Sequence, residues 1–286
     1  MAGFGGLEAF IGAHRRLFVL TGAGCSAPSG IPDYRDAEGL WKRPQPVTYQ
    51  AFMGSEATRR RYWARAFVGW RRFRAARPNA AHRALARLEA LGKSEILLTQ
   101  NVDRLHQAAG SAAVIDLHGR LDKVRCMGCG AFSEREAMQR RLQRLNPEWL
   151  LFDAPDAPDG DADLDGADFD SFAVPPCSEC GGVQKPDVVF FGENAPRERV
   201  DEAYARLDKA DAMLVVGSSL MVWSGYRFVE RAAAQGKPIA AVNLGRTRAD
   251  PMLSMKVEAR CEEALAFLLE SARGPAIDDL RRHGRA

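Results

Sequence analysis

The chain of 286 residues contains no run of about 18 apolar residues, so no membrane-crossing helix is expected. Its opening, MAGFGGLEAFIGAHRR, lacks a basic segment followed by an apolar core, which argues against a secretory leader. A strand-like run already begins at Leu17, too early for a transit segment, and a cytoplasmic location is the expectation. Charge of one sign is also missing: 40 Lys and Arg against 37 Asp and Glu leave +3, which gives no ground for nucleic-acid binding. Lysine is scarce beside arginine, and alanine is abundant; both read as compositional bias. No internal repeat is found. Of five histidines, His14, His82, His106 and His283 read as structural or surface residues, and His118 is taken up below.

What is present is an ordinary globular composition, 46% hydrophobic and 27% charged, long enough for one large domain with a smaller module. Short runs rich in Val, Ile and Leu recur: LFVL (17–20), EILLTQ (95–100), AVIDL (113–117), DVVFF (187–191), DAMLVVG (211–217) and PIAAVNL (238–244). None alternates cleanly, as expected for strands of a parallel sheet buried on both faces. Helical periodicity fills 82–92, behind Asn79 as a cap, then 197–210 and 225–237. The fold class is therefore α/β: a doubly wound, Rossmann-like parallel sheet. Residues 36–78, helical in register, and 121–182 break the alternation. They predict a smaller domain beside a nucleotide-binding domain of residues 1–35, 79–120 and 183–270, with 271–286 a flexible tail.

Four of the six cysteines form two C-x-x-C knuckles, Cys126/Cys129 and Cys177/Cys180, each followed by glycine. Without a leader, such pairs read as metal before disulfide, and four thiolates suit one structural Zn²⁺ in a closed tetrahedral site. The 47 residues between the pairs exceed the usual span of about 15–20, so an extra loop leaves and returns. Within it, DGDADLDGAD (159–168) matches the first half of a calcium loop. The twelfth position from Asp161 is Phe172 where a bidentate Glu belongs, so the segment reads as a solvated acidic loop.

TGAGCSAPSGIPDYR (21–35) opens as a dinucleotide turn: Gly22, Gly24 and Ala27 satisfy G-x-G-x-x-G/A after LFVL. Pro28 and Pro32 then interrupt the helix that should follow. A hydride-transferring dehydrogenase would place an acidic residue on a second strand about 20 residues later. The chain instead reads LWKRPQP there, which argues sharply against that class. The loop offers Asp33 and Arg35, whose guanidinium suits a pyrophosphate. TQNVD (99–103) delivers Gln100, Asn101 and Asp103 at a strand end. These groups fit a carboxamide, or equally an Asx turn capping the next helix. GSSL (217–220) and NLG (243–245) also follow strands and fit phosphate and ribose. DLHG (116–119) sets His118 at the junction with the cysteine module, where a general base or a hydrogen-bonded structural imidazole both fit.

Together, GAGCSAPSGIPDYR, TQNVDRLH, DLHG, the two C-x-x-C pairs, KPDVVFFGE, GSSL and VNLG, in this order over about residues 17–262, resemble the sirtuins, the NAD-dependent protein-lysine deacylases. The block RRRYWARAFVGW (59–70), Tyr34 and the long inter-cysteine segment resemble the subgroup (class II) of animal mitochondrial sirtuin four and its bacterial relatives. The resemblance implies that NAD is a co-substrate and that the loop after GAG is a mobile lid over it. It implies contacts to NAD from Gly22, Ala23, Gly24, Ser26, Asp33, Tyr34, Arg35, Gln100, Asn101, Asp103, Gly217, Ser218, Ser219, Asn243, Gly245 and Cys261. Acyl-lysine side chains of proteins are the implied partner, with the peptide added as a strand against Val189, Phe190, Phe191 and Gly192 and the GSSLMVW segment (217–223); no membrane or nucleic-acid partner is implied, the oligomeric state is left open, and a monomer is compatible with it. The implied reaction passes through an alkylimidate, with His118 as base and Asn101 and Asp103 holding the nicotinamide, and releases O-acyl-ADP-ribose. Mono-ADP-ribosyl transfer from the same site is the alternative activity. In sirtuins that remove succinyl or malonyl groups, a Tyr and an Arg spaced as Tyr62 and Arg65 bind the distal carboxylate. Here the pair either does so or leaves Arg65 on a solvated helix face.

Overall fold

The structure is a computed structural model that describes residues 3–270 apart from Pro44 and Asp165; the expected tail 271–286 and His283 lie outside the described residues. Its strands are β1 (Leu17–Thr21), β2 (Ser94–Thr99), β3 (Val114–Asp116), β4 (Gly119–Cys126), β5 (Phe132–Glu134), β6 (Asp156–Ala157), β7 (Asp161–Ala162), β8 (Gln184–Val188), β9 (Ala212–Val216), β10 (Ile239–Val242) and β11 (Met255–Val257). Its α-helices are α1 (Phe4–Ala13), α2 (Tyr49–Gly54), α3 (Glu56–Phe73), α4 (Ala80–Ala90), α5 (Leu105–Ala108), α6 (Arg135–Leu145), α7 (Arg197–Lys209), α8 (Trp223–Ala234), α9 (Cys261–Ala264) and α10 (Phe267–Glu270).

Six strands form one parallel sheet in the order β11-β10-β9-β1-β2-β3. Side chains alternate across it. Leu17 and Val19 of β1 pack with Leu85 and Leu88 of α4, while Phe18 and Leu20 pack with Leu207 of α7 and Phe228 of α8. Both faces are thus covered, which is why the runs read as continuously apolar. The strand order reverses between β1 and β9, and in such sheets ligands bind at the carboxyl ends beside that reversal.

A second sheet, β5-β4-β8, is antiparallel. The run DVVFF, expected in the parallel sheet, belongs here instead: β8 pairs with β4, and residues 189–191 lie beyond the strand. Lys185 and Asp187 give β8 a polar character that the apolar run after them obscures. The second sheet packs with α2, α3 and α6 around Phe52, Trp63, Phe67, Trp149 and Phe172. Helix α3 is capped by Ser55, whose side chain accepts from the Thr58 N–H. Gly69 on α3 lets the segment 160–161 approach closely, since a Cβ there would lie 2.3 Å from the Gly160 carbonyl oxygen. No helix of the described residues is long and apolar enough to cross a membrane.

Candidate active site

β1 and β9 deliver their following turns to the strand-order reversal. Gly22 N–H donates to the Val216 carbonyl at 3.1 Å and Gly24 N–H to that of Gly217 at 2.9 Å. A Cβ on Gly22 would lie 2.7 Å from the Ser218 Cβ, so these strand ends meet only with glycine there. After it, 3₁₀ turns at Ala23–Cys25 and Ala27–Ser29, the second with Pro28 in its first turn, replace a regular helix.

A buried polar layer supports this turn. Asn101 Nδ2 donates to the Gly22 carbonyl and to Ser26 Oγ, both at 3.0 Å. Ser26 Oγ donates to Asp103 Oδ2 at 2.6 Å, and Asp103 Oδ1 accepts from the Leu105 N–H at 2.8 Å. Asp103 therefore takes the first N–H of α5, from just outside its Arg104 cap position, and holds Ser26 at once. Burial raises its pKa, opposed by those two hydrogen bonds. Beneath Ser26, His82 Nδ1 accepts from the Asn79 N–H at 3.3 Å, which leaves the proton on Nε2, 3.4 Å from Ser26 Oγ.

A cleft of about 660 Å³ is lined by both units of the fold. Gly22, Ala23, Gly24, Asp33, Tyr34, Arg35, Gln100, Asn101, Gly217, Ser218, Ser219 and Asn243 line it, as do His118, Tyr62, Arg65 and 189–192. Ser26, Asp103, Gly245 and Cys261 do not line it. The first two sit in the polar layer. Gly245 donates its N–H to Glu258, and Cys261 is buried with Sγ 4.0 Å from the Gly24 carbonyl oxygen. Arg35, expected at a pyrophosphate, donates to the Gly39 carbonyl at 2.7 Å and stacks on Trp41. Asp33 pairs with Lys42 at 2.5 Å.

His118 Nδ1 lies 3.0 Å from the Gln100 carbonyl oxygen, which can only accept, so Nδ1 carries the proton. Nε2 accepts from Ser224 Oγ at 2.8 Å. Burial pushes the pKa down to about 4 against the Gln100 hydrogen bond, with Arg227 and Arg199 adding to the fall. The result is a neutral imidazole at the cleft whose basic nitrogen is held by Ser224. The His118 carbonyl in turn accepts from the Val189 N–H at 2.8 Å, tying the imidazole to the segment 189–192. Phe191 accepts from the Tyr49 N–H at 2.9 Å, joining that segment to α2. Trp223, the end of GSSLMVW, lines the cleft, and so do Ser224 and Arg227, which the sequence reading left unmarked; only their closeness to that segment could have pointed to them.

The acidic segment is only partly solvated: Asp168 is exposed, but Asp161 and Asp163 are paired. Arg65 Nε donates to Asp161 Oδ2 at 2.9 Å and Arg43 Nη1 to Asp163 Oδ2 at 2.6 Å. The sequence reading missed this because the partners lie on an arginine-rich helix and on the loop before it, about a hundred residues away. Nor does Arg65 lie on a solvated face: it is 18% exposed and faces the cleft. Among the described residues, no acidic cluster gathers there at metal-binding distance.

Cys126, Cys129, Cys177 and Cys180 bring their sulfurs within 4.8 Å of one another. The Cys126–Cys180 and Cys129–Cys177 separations are 3.5 and 3.9 Å. Tetrahedral zinc with bonds of about 2.3 Å requires sulfurs about 3.8 Å apart. Gly128 and Gly182 N–H groups donate to Cys126 and Cys180 Sγ at 3.3 and 3.4 Å. This is a structural zinc site with four protein ligands and none left for substrate.

Known proteins agree with this geometry. The model of the Sir2 family matches residues 22–224. A protein of Bradyrhizobium diazoefficiens named NAD-dependent protein deacetylase 2 is 69% identical over 92% of this chain and 96% of its own length. One of Xanthomonas campestris pv. campestris, named NAD-dependent protein deacetylase, is 68% identical over 92% of this chain and 89% of its own. The solved structure of Sir2 with a p53 peptide and NAD+ is 30% identical, with TM-score 0.73, over 93% of this chain and 97% of that one. The chain belongs to the Sir2 family, the sirtuins.

Proposed function

We propose that this protein is an NAD-dependent protein-lysine deacylase, with acetyl-lysine or another acyl-lysine in proteins as substrate. The observation that carries the reading is one cleft that joins the turns after β1 and β9, Gln100 and Asn101, and a neutral His118. NAD supplies an electrophilic ribose carbon with nicotinamide as leaving group. The residues around it position and move protons. The turn at 22–24 and Gly217, Ser218, Ser219 and Asn243 hold the phosphates and the adenosine half. Asn101 and Gln100 face the nicotinamide and its ribose; Ser26 and Asp103 act through Asn101 by fixing its amide. His118 Nε2 accepts a proton from a ribose hydroxyl in place of the Ser224 hydroxyl; its tautomer supports the role, and its lowered pKa keeps the ring neutral while making it a weaker base. The acyl-lysine peptide adds as a strand between 189–192 and the segment after β9. Within the family, the block 59–70, Tyr34 and the long inter-cysteine segment support the subgroup of animal mitochondrial sirtuin four and its bacterial relatives.

Mass spectrometry after incubation with NAD and acyl-lysine peptides tests the reading. O-acyl-ADP-ribose and free lysine are expected, and both should be lost in His118→Tyr. ADP-ribose mass on protein without that product would favour ADP-ribosyl transfer instead.

A further inference from the structure

Three observations place one carboxylate beside one cation in the cleft. Arg65 and Asp161 both line it, and they are joined at 2.9 Å with side chains 18% and 31% exposed. The β6–β7 hairpin that carries Asp161 is fitted to α3 by Gly69, one helical turn after Arg65, where a Cβ would collide with Gly160. It is held a second time by Arg43 on Asp163. The carboxylate is thus part of the wall, presented from a docked hairpin and not from a free loop.

A guanidinium in a cleft is a receptor for a carboxylate. Here the chain supplies its own. We propose that Asp161 occupies Arg65 as a built-in carboxylate and sets the acyl preference: the cleft takes uncharged acyl chains and turns away chains that end in a carboxylate. An incoming carboxylate would meet Asp161 as a like charge and find Arg65 engaged. Discrimination of this kind comes from the repulsive element as much as from the attractive one. The inference rests on the deacylase reading.

The test measures peptide affinity by fluorescence anisotropy and turnover with NAD separately. Glutaryl-lysine and pentanoyl-lysine peptides serve as probes, because they match in chain length and differ in the terminal carboxylate. The wild-type protein should bind the pentanoyl peptide more tightly. Asp161→Asn should raise the glutaryl-to-pentanoyl affinity ratio at least about tenfold, the lower end for one hydrogen bond to a charged group. Asp161→Ala should move the ratio the same way, and Arg65→Met placed on Asp161→Asn should cancel the gain. A ratio unmoved in both Asp161 variants, a gain that survives loss of Arg65, or a wild-type preference for glutaryl would overturn the proposal. Failure of the deacylase reading would look different: no O-acyl-ADP-ribose from any peptide, with the affinity ratio still reporting on Asp161.

Discussion

His118 keeps its proton on Nδ1 because the Gln100 carbonyl can only accept, and burial keeps the ring neutral. Its pKa falls from 6.5 to about 4 on folding, so Nε2 stays unprotonated, with Ser224 as its donor, as pH drops through 6.5. The expected profile of kcat/KM has no His118 limb near 6.5; the limb lies near pH 4, and rate measurements with acetyl-lysine peptide from pH 4 to 8 check it. An acid limb at 6.5 would mean that the ring is solvated. The same shift is a stability statement. Between about 6.5 and 4 the unfolded chain binds a proton that the native ring refuses, so this contribution to stability is lost as pH falls. His82, pushed to about 4 by burial, acts in the same direction.

Among elements, α4 shows how a cap can serve a site. Asn79 Oδ1 accepts from Ala81 and His82 N–H groups, while its Nδ2 donates to the Cys25 carbonyl and Ser29 Oγ, both at 2.9 Å. Asn79→Ala should cost about 1 kcal/mol of stability by loss of the cap. It should also raise KM for NAD, because the segment 25–29 loses its anchor. Denaturant midpoint and steady-state kinetics read the two effects, and a stability loss with KM unchanged would separate the cap from the site. Asn79 and five strands of the parallel sheet were legible in the sequence because caps and buried runs are local signals; the short, half-buried edge strand β11 was not. Helix α1 was not: Gly5, Gly6 and Gly12 weaken its helical signal, although Leu7 and Ile11, one turn apart, are buried. β8 was misplaced because an apolar run does not say which sheet takes it. Of the candidate site, the glycine turns, His118 and the cysteines were readable as motifs. The Asp161–Arg65 pair was not, since no local pattern encodes a contact across 96 positions.

At the scale of the whole molecule, the cysteine site closes β4 and β8 into one small sheet, and residues 189–192 leave β8 directly into the cleft. Removing zinc with a chelator should therefore loosen the substrate side before the nucleotide side. The expected outcome is a lower thermal midpoint and a larger rise in KM for peptide than for NAD, restored by added Zn²⁺. An equal rise in both would mean that the metal supports the parallel sheet as well. The strand order has another consequence, for synthesis on the ribosome. β1 is central and wholly buried, yet its neighbour β9 lies about two hundred residues downstream. At about 5–20 residues per second, the β9 edge of LFVLT waits for roughly 10–40 s before its partner is made. During that interval the nascent chain presents an open apolar strand edge, a target for chaperones and for other nascent chains alike.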